Sequence, residues 1–220
     1  MKFRGSICLG LMFIFLPSLG AAQPANRVTI LYDAFSKSPD VTKDWGYSAM
    51  VEYGGKRILF DTGNNAQIFE HNVKALGTDL RKLDFVVISH RHADHTSGLT
   101  YLLSVNPTVK IYTPDEPFGL FGKGVPNTFY RKEQSLAADM RYFDGNPPAT
   151  LSTGSPWPQA NFVPVSSTTE VAPGIYLIPT ISQTPGTLEL PELSLAIRGP
   201  DGLIVVDGCS HGASKRSWKP

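Results

Sequence analysis

Apolar and polar positions cluster along this 220-residue chain in patterns that name its elements. "RVTILYDAF", from Arg27, reads as a strand, and "YSAMVEYGGKRILFDTG" reads as two apolar runs folded about Gly54-Gly55, a two-residue hairpin signal. In "NAQIFEHNVKALG", Phe69, Val73 and Leu76 share one helical face and Gly77 marks the stop, while His71 falls on the solvent side. "LDFVVIS" is a continuous apolar run of strand length, the pattern of a strand buried on both faces. "TSGLTYLLS" then opens a short helix with Thr96 or Ser97 as its cap, and "VKIYTP" adds another strand. Strand, loop, helix, strand is a βαβ step, and the loop beyond the strand end is where such sheets carry ligands.

Regularity lapses from residue 114 to about residue 165, where prolines and glycines mix with Phe118, Phe121, Phe129, Tyr130, Tyr142 and Phe143. A segment of that length is either a lid or pocket wall, or a loop that packs its aromatics on the outer core. Strands resume with "GIYLIPT", "LSLAIRG" and "LIVVDGCSH", the last two joined by a turn at Pro200-Asp201-Gly202.

The first 22 residues stand apart. "MKFRGSICLGLMFIFLPSLGAAQ" places Lys2 and Arg4 before an apolar run from Ile7 to Leu19, then small residues ending at Ala22. Those are the parts of a secretory signal peptide. The apolar run is shorter than the ~20 residues that span a bilayer, so cleavage after Ala22 is expected rather than anchoring. The mature chain is then periplasmic or secreted and free of the membrane. Cys8 leaves with the leader, and Cys209 remains as a single thiol without an intrachain disulfide.

Composition narrows the function classes. The chain is 41% hydrophobic and 18% charged, with a formal net charge of +1. A near-neutral balance gives no electrostatic case for a nucleic-acid or acidic-membrane partner. Abundant glycine and proline favour a loop-rich, strand-containing fold over a helical bundle.

Against that ordinary background one stretch is exceptional. "VVISHRHADHTSGL" holds three of the chain's five histidines, plus an aspartate, directly after the buried strand. His90 and His92 alternate along an extended segment, so their imidazoles can point the same way; Asp94 and His95 follow as the chain turns. Nitrogen and carboxylate donors fixed at a rigid strand end suit borderline divalent metals such as zinc. Four adjacent donors exceed what one tetrahedral ion with an open position takes, so two ions are inferred. Three neighbouring histidines without a cation would be electrostatically awkward near neutral pH.

His90-x-His92-x-Asp94-His95, preceded by "ILFDTG", resembles the signature of the metallo-β-lactamase fold superfamily of metallohydrolases. The resemblance implies an α/β fold of the αββα sandwich type over residues 27–211, and a small-molecule substrate. Within the superfamily, "WGYSAMVEYGGKRILFDTG", "TPGTLELPELSLAI" and "GLIVVDGCSH" are similar to the branch named for dihydropterin-ribofuranosylaminobenzene-phosphate synthase. By that likeness His90 and His92 hold the first ion, Asp94 and His95 hold the second, and His211 completes the site, with its ion left open. Asp207 competes for that position if it corresponds to the superfamily's bridging carboxylate. Cys209 is a further donor, though a small residue filling the strand end is the simpler account of it. Asp61 matches the family's buried aspartate, which supports the metals without binding them, and Glu192 is a supporting or pocket candidate.

The family pattern continues past His211 with a helix, further strands and a last histidine, whereas here residues 212–220 form a short basic tail, expected to be disordered. The expectation is therefore a sandwich lacking the C-terminal part of its second half. Such a chain is either truncated or frameshifted, or is completed by a partner, and it is expected to be marginal, aggregation-prone or oligomeric, an oligomer being one way to cover exposed sheet.

The leading function is an exported metal-dependent hydrolase that turns a metal-bound hydroxide on an ester, lactone, thioester or phosphoester. Asp94 is its catalytic residue, and two divalent ions are its cofactors, zinc first, with manganese and iron as alternatives. A synthase or lyase acting on a pterin-like or phosphosugar substrate, and a catalytically inactive metal-binding remnant, are the competing readings.

Overall fold

Gly54 and Gly55 both take positive φ, 56° and 78°, the turn whose twist matches the strands it joins. They connect β2 (Ser48–Tyr53) to β3 (Lys56–Phe60), with Tyr53 opposite Lys56 and Ala49 opposite Phe60. The computed structural model describes residues 26–116, 120–121, 137, 155–181 and 190–209. β1 (Arg27–Tyr32) pairs antiparallel with β2. β4 (Phe85–Val87), β5 (Lys110–Pro114) and β6 (Asn161–Val165) continue in parallel from β3, giving a six-stranded sheet in the order β1-β2-β3-β4-β5-β6. A second, antiparallel sheet is formed by β7 (Thr169–Ala172), β8 (Ile175–Ile181), β9 (Pro191–Gly199) and β10 (Gly202–Val206), in the order β10-β9-β8-β7.

The continuous apolar runs of the first sheet have two faces to fill. Leu59, Val86, Ile88 and Ile111 turn toward α1 (Ala66–Ala75) and α3 (Leu99–Val105), meeting Phe69, Val73, Leu99 and Leu102. Ile58, Phe60, Phe85 and Val87 face the other way, against Leu177, Leu193, Leu195 and Ile197 of the second sheet. Each such side chain contributes roughly 1.5–3 kcal/mol on full burial. Layering is therefore dictated by strands that are apolar on both sides. The α/β sandwich expected from the motif resemblance is the fold observed.

α1 starts where Asn65 accepts hydrogen bonds from the backbone N–H groups of Gln67 and Ile68, satisfying two donors a helix start leaves open. The second helical start differs from expectation. Neither Thr96 nor Ser97 is a helix N-cap there. Ala93–Thr96 forms a helix of its own, α2, after His92, and α3 begins after Gly98 without a side-chain cap. Asp94 and His95 thus lie in a helical turn, not in an open loop.

The irregular segment also needs correcting. Its last residues form β6, and Thr169–Ala172 beyond it forms β7. Pro164 sits in β6 because that strand is the sheet's edge, where a missing N–H can be tolerated. Of the aromatics, Phe121 is buried beside Phe162 with ring centroids 5.3 Å apart, so the described part packs on the helix-side core. Phe118, Phe129, Tyr130, Tyr142 and Phe143 lie outside the described residues, as do the leader, His211 and the basic tail. His71 is exposed on α1, as its helical position requires. Among the described residues no helix is long and apolar enough to cross a membrane.

Candidate metal centre

The chain leaves β4 through Ile88, Ser89 and His90, all buried, and then turns into α2. Arg91 points to Glu116 at the end of β5, forming an ion pair that fixes the loop from the opposite side. His90 and His92 accordingly converge, with Nε2 of the first 3.0 Å from Nδ1 of the second. One turn on, His95 Nε2 lies 3.4 Å from a carboxylate oxygen of Asp94 and 3.0 Å from Cys209 Sγ. Donor atoms of His90, His92 and Asp94 all fall within 4.8 Å of one another, and so do those of His90, His95 and Cys209. The two donor sets overlap at His90, whose one open nitrogen, Nε2, can serve a single ion at a time.

Behind the donors runs a buried hydrogen-bond chain. Asp61 Oδ1 accepts from the Ser89 backbone N–H at 2.7 Å, and Oδ2 accepts from the Ser89 hydroxyl and from His95 Nδ1, each at 2.7 Å. The Ser89 hydroxyl has one proton, which Asp61 takes. At 2.8 Å from His90 Nδ1 it must therefore accept. Nδ1 is the donor in both His90 and His95, and Nε2 of each is left facing the donor cluster. Asp61, expected to support the donors, is hydrogen-bonded to Ser89 and His95 behind them. Ser89 was not read from the sequence as a site residue; its only signal is its place immediately before the first histidine.

Asp61 adopts φ of 56°, a left-handed conformation that costs a non-glycine residue energy. Its surroundings hold it there: its own N–H bonds to Val87, its carbonyl accepts from the Ser48 hydroxyl, and its carboxylate is fully engaged. Close backbone contacts do the rest. A Cβ at Gly208 would lie 2.3 Å from Ser89 Oγ, and one at Gly98 would lie 2.1 Å from the Thr62 carbonyl. Thr62 in turn donates its N–H and its hydroxyl to the His95 carbonyl. Burial alone would lower the His95 pKa, but the Asp61 carboxylate, with Cys209 adding to it, pushes it up to about 10. Without a metal His95 is thus an imidazolium paired to Asp61.

His90, His92, Asp94 and His95 are brought together as expected. Cys209, expected to be a filler, instead joins the cluster from the end of β10. Asp207 lies two residues earlier on the wall of the adjoining cavity. Glu192 is buried on β9, opposite Thr180 in register, beside Leu193, whose N–H bonds to the Ser89 carbonyl. Imidazole nitrogens of fixed tautomer, a carboxylate and a sulfur within one small volume fit a borderline divalent ion such as zinc.

Beside the cluster opens a cavity of about 320 Å³, whose wall includes Phe35, Trp45, Asp94, His95 and Cys209.

A family model described as the metallo-beta-lactamase superfamily matches residues 43–218. The chain is 28% identical, over 89% of its length, to a 7,8-dihydropterin-6-methyl-4-(beta-D-ribofuranosyl)-aminobenzene-5'-phosphate synthase from Methanocaldococcus jannaschii, spanning 71% of that protein. It is 37% identical, over 54% of its length, to an anti-Pycsar protein of Bacillus phage 010DV004, spanning 42% of that protein. Among solved structures it resembles the Rm3 metallo-beta-lactamase, with a TM-score of 0.47 and 20% identity over 79% of this chain and 59% of that one.

Proposed function

Because the chain belongs to the metallo-beta-lactamase superfamily, we propose that it is a metal-dependent hydrolase acting on an ester, lactone, thioester or phosphoester bond. One observation carries the reading. Five donor side chains converge where β4 ends, and a buried Asp61–Ser89 pair fixes two of them. His90, His92, Asp94, His95 and Cys209 would hold two divalent ions, zinc first and manganese or iron as alternatives. Ions held there would supply Lewis acidity, acidifying water and polarising a substrate oxygen.

The chain's own residues have distinct tasks. Asp61 and Ser89 keep His90 and His95 in one tautomer and one orientation. Asp94 is half-buried on the cavity wall, where its carboxylate can take the proton that an attacking water loses and return it to the leaving group. The layered core behind the loop keeps water from reaching Asp61. We place the protein outside the cytoplasm, on the strength of its charged, apolar and small-residue N-terminus.

The test uses the purified chain loaded with zinc, manganese or iron. Turnover on a panel of the four bond types should disappear with a chelator, return with metal and be absent in His92→Ala. Full activity in His92→Ala, or in excess chelator, refutes the reading. The likeness to the archaeal synthase over most of the chain favours a second reading, action on a pterin-like or phosphosugar substrate. Metal-dependent consumption of such a substrate, with no turnover on the hydrolysis panel, would select it.

A further inference from the structure

We propose that Phe35 and Trp45 form the wall that selects the substrate, and that the group they select is an uncharged aromatic or bulky apolar acyl group. The inference rests on the hydrolase reading above and extends it to substrate class. Both side chains line the cavity that also holds Asp94, His95 and Cys209. They are 80% and 69% exposed, and neighbouring Ile30 is 41% exposed. Single exposed apolar residues are unremarkable, but three around one concave site beside chemically competent donors mark a ligand surface. The volume of about 320 Å³ lies at the lower end of small-molecule pockets and admits a ring plus a short linker.

The segment that carries the two rings is held in place. Asp33 Oδ1 accepts from the N–H groups of Phe35 and Ser36, and the Asp33 carbonyl accepts from the N–H of Asp44. Tyr32 donates its hydroxyl to the Asp44 carboxylate. Beyond Trp45, Gly46 has φ of 129°, and the N–H of Tyr47 bonds to the carbonyl of Asp94 itself. Trp45 is therefore two residues from a direct backbone link to the donor loop, so a ring seated on it is positioned relative to the reacting bond. Rigid placement of this kind is what turns contact area into rate.

Charge decides what the ring carries. The described lining includes the carboxylates of Asp33, Asp94 and Asp207 and no lysine or arginine. An anionic acyl group seated beside Phe35 and Trp45 would meet the Asp33 carboxylate, whereas the positive charge of the site belongs to His95 and to any ions bound at the donor cluster, which serve the reacting group. An uncharged phenyl or comparable apolar group meets the two rings in offset or edge-to-face contact.

The experiment compares 4-nitrophenyl phenylacetate, 4-nitrophenyl acetate and the anionic mono(4-nitrophenyl) succinate on the zinc-loaded full chain. The kcat/KM ratio of phenylacetate to acetate should be high, and should fall about tenfold or more in Phe35→Ala and in Trp45→Ala. The anionic ester should be the poorest substrate. A second arm does not need turnover: phenylacetamide should quench tryptophan fluorescence saturably, and Trp45→Phe should abolish the effect. Saturable quenching without turnover on the four-bond panel would sustain the wall and remove the hydrolase reading. Ester turnover with an unchanged ratio in both variants, preference for the anionic ester, or no saturable quenching would overturn the wall. Circular dichroism of the variants confirms that each is folded.

Discussion

Ser89→Ala is the sharpest probe of the arrangement behind the donors. The Ser89 hydroxyl gives its proton to Asp61 at 2.7 Å and accepts from His90 Nδ1 at 2.8 Å, and all three side chains are buried. Alanine removes both bonds without adding volume. Asp61 keeps its bonds from the Ser89 backbone and from His95, so the carboxylate remains satisfied. The loss falls on His90, whose Nδ1–H is left without its buried acceptor at a cost of about 1–3 kcal/mol. Rotating or changing tautomer to recover the loss takes Nε2 away from the donor cluster. Zinc affinity should therefore fall about 10- to 100-fold. Competition against a chromogenic chelator measures it, and thermal unfolding in excess chelator separates a weakened site from a weakened fold. Affinity within twofold of the unmodified chain would refute the tautomer argument.

The remaining expectations concern protons, backbone and edges. The folded His95 pKa lies at about 10, above its ordinary 6.5, so in metal-free protein the imidazolium–Asp61 pair stabilises fully below pH 6.5 and is lost as pH rises toward 10. Metal must displace that proton, so zinc affinity should rise up to about tenfold per pH unit across this window; a flat profile between pH 6.5 and 8 would contradict it. Gly46→Ala places a Cβ 2.4 Å from the Asp94 carbonyl at φ of 129°, and urea titration should show a loss of about 2 kcal/mol or more. Leu203 and Ile204 of edge strand β10 are each about half exposed, so sedimentation velocity should detect self-association that Ile204→Lys reduces.

What could be read from the sequence was what is local. His90, His92, Asp94 and His95 fall within six consecutive positions, and the Gly54-Gly55 hairpin and the two-faced β4 run declare themselves within a few residues. β6 was hidden because "NFVPV" carries a proline and lies at a sheet edge, where only one neighbour shapes its pattern. α2 spans a single turn, too short to show a helical period. Ser89 and Cys209 are ordinary residues until the chain folds. Their partners lie 28 and 114 positions away, and no local pattern encodes such a meeting. Phe35 and Trp45 likewise gain meaning only when β1, the segment after it and the end of β10 surround one cavity.

The link between His95 and Cys209 also sets a schedule. One residue follows β4 of the first sheet and the other lies just past β10 of the second, so the contact closes only when positions 114 apart in the chain have been brought together. Long-range closure of this kind is slow, and this contact forms only after the two sheets have come together. Any ion that both residues grasp would fasten one sheet to the other, so metal supply would govern how long the finished sandwich resists opening as well as what it can do.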